Sequence, residues 1–200
     1  MENGTSTAIL VLGNEGLLGI SLMMGGETTP SRSLVQSAGH AYRLPRQRVK
    51  DEFNRHGQLL LLLLMLRYTQ ALITQVSQTA VCNRRHSIDQ QLCRWLLLSM
   101  DRLSHNRLTM TQEFIANMLG VRREGVTQSA LTLQQLGAIH YKRGLIEVLD
   151  RPKLEALSCG CYGVVKSEAD LLLHDLPQRQ VSTNVSTNVS TIANGTPPTP

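Results

Sequence analysis

Residues 51–81 constrain this chain most. They hold one glycine, Gly57, and no proline, and Leu59 to Leu66 is an unbroken apolar run. A backbone without those breakers propagates as helix. Leu62, Met65, Thr69, Leu72, Val76 and Thr79 recur at spacings of three and four, which puts them on one helical face. Around the leucine run the helix is apolar on every side and needs cover from more than one direction. We read Leu62, Met65, Thr69, Leu72 and Val76 as a seam against a second copy of the chain. A core helix covered within one chain is the alternative.

The flanks differ in composition. Residues 1–50 are rich in glycine, with short apolar runs at Ala8–Leu12 and Leu34-Val35. That pattern predicts short strands joined by turns, too few for an independent sheet. Residues 82–175 carry helical stripes, the first through Leu92, Trp95, Leu96, Met100 and Leu103. Trp95 on such a stripe belongs to a core, and Asp89 suits the positive end of that helix. Ala138–Tyr141 and Leu145–Leu149 flank Lys142-Arg143-Gly144, a β-hairpin with glycine in its turn. Asp150-Arg151-Pro152 opens a last helix. Residues 176–200 form an uncharged tail from Val181 onward, repeat Val-Ser-Thr-Asn and end in prolines, which predicts disorder.

Composition excludes several classes. The chain has 200 residues, 42% of them apolar, and a net charge of +5. That permits a polyanionic partner without requiring one. Four cysteines do not make a disulfide scaffold. Cys159-Gly160-Cys161 has one residue between its cysteines, a poor zinc knuckle, so neither a metal nor a cofactor is expected. Cys82 and Cys93 read as small buried hydrophobes, and His86 and His105 as surface residues. The longest apolar run is too short for a bilayer, and no basic region precedes Ala8–Met24 as a signal peptide needs. A cytoplasmic protein without a membrane partner is expected. No nucleophile elbow, phosphate loop or metalloprotease spacing is present, so an enzyme is not expected.

The informative constellation is Gln112 to Gln135. Ala116 supplies a small residue where a second helix crosses the first, and Gly120 supplies a sharp turn between them. Ile115, Leu119, Val121 and Val126 stand where core contacts are needed, and Thr111 is placed to cap the first helix. With Val126 and Leu133 facing inward, Arg123, Glu124, Thr127 and Gln128 fall on the outward N-terminal part of the second helix. That part of a recognition helix meets base edges. Arg pairs with guanine, Glu accepts from cytosine, and Gln pairs with adenine. Gln112 and Arg122 are placed for phosphates, as are Lys142 and Arg143 on the hairpin turn. Two residues fit less well: Gly125 inside a helix costs about 1 kcal/mol, and Ser129 takes an inward position where a larger apolar residue is usual.

Over Cys82–Asp150, and most specifically over Thr109–Thr127, the chain resembles the bacterial CRP/FNR transcription regulators. The resemblance implies that Arg123-Glu124 is the base-reading pair, with Gln128 one turn later where the family often has Arg. It implies that residues 51–81 are the dimerisation helix. It also implies that residues 8–44 are the second half of an effector-binding β-roll whose first half is missing. Glu15, Arg32 and Ser33 then fall where cyclic-nucleotide binders hold ribose and phosphate, although the stretch between Glu15 and Arg32 is longer than in those members. An iron–sulfur cysteine cluster of the oxygen-sensing kind is absent from the N-terminal region.

The expected architecture is α+β: a partial β-roll (1–50), a dimerisation helix (51–81), a winged helix-turn-helix (82–175) and a disordered tail (176–200). The expected function is a transcription regulator binding double-stranded DNA as a homodimer on a palindromic site. RNA polymerase is a further partner, and the small-molecule effector is unknown. The alternative is a truncated dimerisation partner that modulates full-length relatives without binding DNA.

Overall fold

The computed structural model describes residues 7–29, 31–55, 58–173 and 189–192. In chain order they form α1 (Ile20–Met23), β1 (Gly39–Tyr42), α2 (Arg46–Arg55), α3 (Gln58–Arg85) and α4 (Ile88–Met100). Next come β2 (Arg107–Thr109), α5 (Gln112–Leu119), α6 (Arg123–Gln135), β3 (Ile139–Lys142) and β4 (Leu145–Val148). The last are α7 (Arg151–Leu157), α8 (Gly160–Leu173) and β5 (Val189–Ile192). The chain is α+β and divides into two units: residues 17–69 with 175–200, and residues 1–16 with 70–174.

Among the described residues of 1–50, the expected strands reduce to β1, which lies in the first unit. It pairs antiparallel with β5, Gly39 opposite Ile192 and Tyr42 opposite Val189. Leu34 and Val35 are exposed and outside any strand. β5 lies within the segment expected to be disordered; its Val-Ser-Thr-Ile sequence is rich in β-branched residues, which fit a pleated strand. The rest of that expectation, residues 176–188 and 193–200, lies outside the described residues. The helix expected over 51–81 is two helices, α2 beginning already at Arg46 and α3 continuing to Arg85.

Ala8–Leu12, expected as a strand, has no strand conformation. Its apolar character serves the core of the second unit instead. Val11 is buried there, the Ala8 N–H donates to the Met118 carbonyl at 3.0 Å, and Gln75 Nε2 donates to the Val11 carbonyl at 3.3 Å. A short continuous apolar run packed against helices looks the same in sequence as one paired in a sheet.

α4 is the centre of the second unit. Its start is a capping box: Ser87 Oγ accepts from the Gln90 N–H, and the Gln90 side chain accepts from the Ser87 N–H. Two orphan donors are satisfied reciprocally, with Asp89 in the first turn as expected. Every residue from Gln91 to Met100 is buried. The stripe through Leu92, Trp95 and Leu96 is therefore only one covered face, because α6, α7 and α8 all pack on this helix. Leu92, Leu96 and Leu97 are at most 1% exposed, worth about 1.5–3 kcal/mol each.

A three-stranded antiparallel sheet, β2-β4-β3, closes the unit. β2 is too short to announce itself in the sequence. It pairs Leu108 with Ile146, and both side chains are buried. α7 starts as expected, with Asp150 accepting from the Lys153 N–H and Pro152 in the first turn. α8 follows as a further helix.

α3 is long and apolar enough, by length and composition, to cross a membrane over Leu59–Arg85, and most of it is not buried within the chain. The face it buries carries Tyr68, Gln75, Thr79 and Cys82. Leu62 is exposed and Met65, Thr69, Leu72 and Val76 are half-buried, beside that buried face.

Candidate nucleic-acid interface

Three consecutive residues assemble the interface. The Met110 N–H donates to the Gly144 carbonyl in the hairpin turn at 2.6 Å, and its own carbonyl accepts from the Tyr141 hydroxyl at 3.1 Å. Both bonds tie the hairpin to the chain entering α5. Thr111 caps α5 as expected, its Oγ1 accepting from the Phe114 N–H at 3.1 Å. Gln112 Oε1 accepts from Thr127 Oγ1 at 2.7 Å, which joins the start of α5 to the first turns of α6. With its carbonyl so engaged, the Gln112 amide keeps its N–H donors for an anion such as phosphate.

Between the helices Gly120 has φ +69°, and a Cβ there would sit 3.0 Å from Thr7 Oγ1. The turn takes glycine on both counts. The Val121 N–H bonds back to the Ala116 carbonyl at 3.0 Å. Ile115, Ala116, Leu119, Val126 and Leu133 are buried, and Val121 packs partly buried against them, all as expected. Ser129 is buried beside Ala130.

Gly125 has a physical reason that the sequence conceals. A Cβ at this position would lie 2.6 Å from Ile88 Cδ1, the first residue of α4. The missing side chain lets α6 approach the start of α4, which offsets the propensity cost of glycine in a helix.

On the outer side, Arg122, Arg123, Glu124 and Gln128 are exposed and Thr127 is half-buried. Arg122 is the N-cap of α6 without a side-chain capping bond. The hairpin turn carries Lys142 and Arg143, both exposed. Arg143 at φ 49° and Gly144 at φ 80° are the two loop residues between paired strands, the geometry of a tight hairpin turn with positive φ at both positions. Arg143 is the sole non-glycine with positive φ among the described residues.

Tyr141 was not among the residues singled out from sequence. Burial raises its hydroxyl pKa, opposed by the Arg123 charge. α6 packs on β3, and the bonds of Tyr141 to Met110 and of Thr127 to Gln112 tie the hairpin and α6 to the same stretch of chain entering α5. The signal for it in sequence was the aromatic next to a basic turn.

The residues of the other expected site belong to different units. Glu15 pairs with Arg102 at 3.2 Å. Arg32 and Ser33 are exposed and belong to the other unit.

Two helices joined by a glycine turn and backed by a basic hairpin define a winged helix-turn-helix. Residues 90–157 match the Crp-like helix-turn-helix domain, so this part of the chain is a Crp-like helix-turn-helix. No curated protein matches the chain. Among solved structures, it is similar to a Crp/Fnr-family transcriptional regulator from Eubacterium rectale, with 27% identity, 56% of this chain and 51% of that one covered, and a TM-score of 0.41. It is also similar to FixK2 from Bradyrhizobium japonicum, with 18% identity, 57% and 59% covered, and a TM-score of 0.46. For the catabolite activator protein of Thermus thermophilus the values are 21%, 58% and 54%, and 0.33. The chain spans about half the length of the solved structures it matches.

Proposed function

We propose that this protein is a transcription regulator that binds double-stranded DNA sequence-specifically, as a homodimer on an approximately palindromic site. The observation that carries this is the exposed set Arg122, Arg123, Glu124 and Gln128 over the first two turns of α6, with the exposed basic turn Lys142-Arg143 of the hairpin. Arg123, Glu124 and Gln128 read base edges, with Thr127 held against Gln112 at the rim. Gln112, Arg122, Lys142 and Arg143 hold phosphates. The seam Leu62, Met65, Thr69, Leu72 and Val76 of α3 pairs with the same seam of a second copy. Pairing places two α6 helices about 34 Å apart, one turn of DNA. The hydrogen-bonded buried face of α3, with Gln75 and Thr79, suits a soluble cytoplasmic dimer better than lipid. In this reading 51–81 is the dimerising segment, 82–175 the DNA-binding part, and RNA polymerase the further partner. The effector role of Glu15, Arg32 and Ser33 rests on the sequence resemblance alone.

The test is a titration of the purified chain on labelled random duplex DNA at varied salt. Lys142→Ala should weaken binding uniformly across sequences and reduce the salt slope by about 1. Absence of binding at low salt would favour the second reading, a dimerisation partner that modulates full-length relatives. The exposed leucines of α3, Leu59, Leu60, Leu62 and Leu66, are what motivates that reading.

A further inference from the structure

Away from the α6 surface, the second unit gathers four ligating side chains. Cys82 lies in the last turn of α3, and His86 just beyond it. The His86 N–H still bonds to the Cys82 carbonyl at 3.0 Å, so the pair keeps the i, i+4 spacing that puts both side chains on one face. Cys159 and Cys161 flank Gly160 where α8 begins. The three sulfurs and a ring nitrogen of His86 all lie within 4.8 Å of one another. Cys82 Sγ is 3.5 Å from Cys159 Sγ, and Cys161 Sγ is 3.6 Å from His86 Nδ1. A tetrahedral zinc ion with bonds of about 2.3 Å to sulfur and 2.0–2.1 Å to nitrogen needs ligand atoms spaced in this range.

A second observation points to a bound ion. Arg94 is 4% exposed. Its Nη1 donates to Thr79 Oγ1 at 3.2 Å, its Nε has no hydrogen-bond partner, and no carboxylate pairs with it among the described residues. A buried guanidinium without a counter-charge is costly. Zinc held by three thiolates and a neutral imidazole carries one net negative charge and would supply that counter-charge.

We propose that Cys82, His86, Cys159 and Cys161 form a tetrahedral zinc site that staples the end of α3 to the start of α8. All four protein ligands are present, which is the closed arrangement of a structural site, without an open position for substrate. The sequence conceals it because each pair alone is weak, and the fold brings together residues more than seventy positions apart. The site stands independently of what α6 binds.

The test uses the full chain purified under reducing conditions. One equivalent of zinc should survive gel filtration by elemental analysis. Cobalt(II) should give the ligand-field absorption of a tetrahedral thiolate site, and zinc should displace it. His86→Ala and Cys161→Ser should lose the retained zinc, while Cys93→Ser, a buried cysteine outside the cluster, should keep it. Because the cysteine variants risk misfolding, the wild-type protein supplies a second readout: a chelator should lower Tm, and added zinc should restore it. Folded wild-type protein that retains no zinc and gives no tetrahedral cobalt spectrum would overturn the proposal. So would a Cys82–Cys159 disulfide found by mass spectrometry in that reduced preparation.

Discussion

Arg143 is where a side chain's chemistry and its backbone disagree. A left-handed conformation costs a non-glycine residue about 1–2 kcal/mol, which asparagine tolerates better. Arginine at this position is explained by a charge at the tip of the hairpin rather than by the turn itself. Arg143→Asn is therefore expected to raise the stability by up to about 1 kcal/mol, read as a higher unfolding midpoint, while weakening DNA binding and flattening its salt dependence. A variant that is less stable, with unchanged binding, would remove Arg143 from the interface. Gly120 gives the converse case, since its left-handed φ strains any side chain and a Cβ there would crowd Thr7. Gly120→Ala should lower stability by about 1–2 kcal/mol, read as a shifted denaturant midpoint at constant slope. An unchanged midpoint would mean that the turn has another route.

At the scale of elements, the packing of α6 on α4 makes a coupled prediction. Gly125→Ala alone should gain less than the about 1 kcal/mol that helix propensity promises, because Ile88 Cδ1 must move aside. Combined with Ile88→Val, the gain should be recovered, and a double-mutant cycle measures the coupling. Strict additivity would show that Gly125 is not there for that approach. The same pair shows what a sequence displays and what it hides. α5, the turn, α6 and the hairpin were legible because each has a local signal: a threonine cap, a left-handed glycine, helical periodicity, alternation around a basic turn. Gly125 looked like a defect because its reason lies on another helix. Ala8–Leu12 was misread because burial on helices and pairing in a sheet leave the same apolar run. β2 escaped because three residues carry no periodicity. The outward positions of α6, Arg123, Glu124 and Gln128, were legible from its register, whereas Tyr141 was not, since its role depends on where β3 lies.

For the molecule as a whole, the central question is whether two copies present two α6 helices to one duplex. Within one chain Leu62 is exposed and Met65 half-buried, so replacing both by glutamate should leave the second unit folded. It should convert a dimer to a monomer in sedimentation and abolish tight binding to two half-sites. A dimer persisting in that variant would place the seam elsewhere. The most direct test of the central claim is selection of random-sequence duplex DNA by the purified chain, with Arg123→Ala in parallel. The account predicts a palindromic consensus, with Arg123→Ala losing about 1–3 kcal/mol of binding and discrimination at the base it contacts. Selection of the same consensus at the same affinity by both proteins would contradict it.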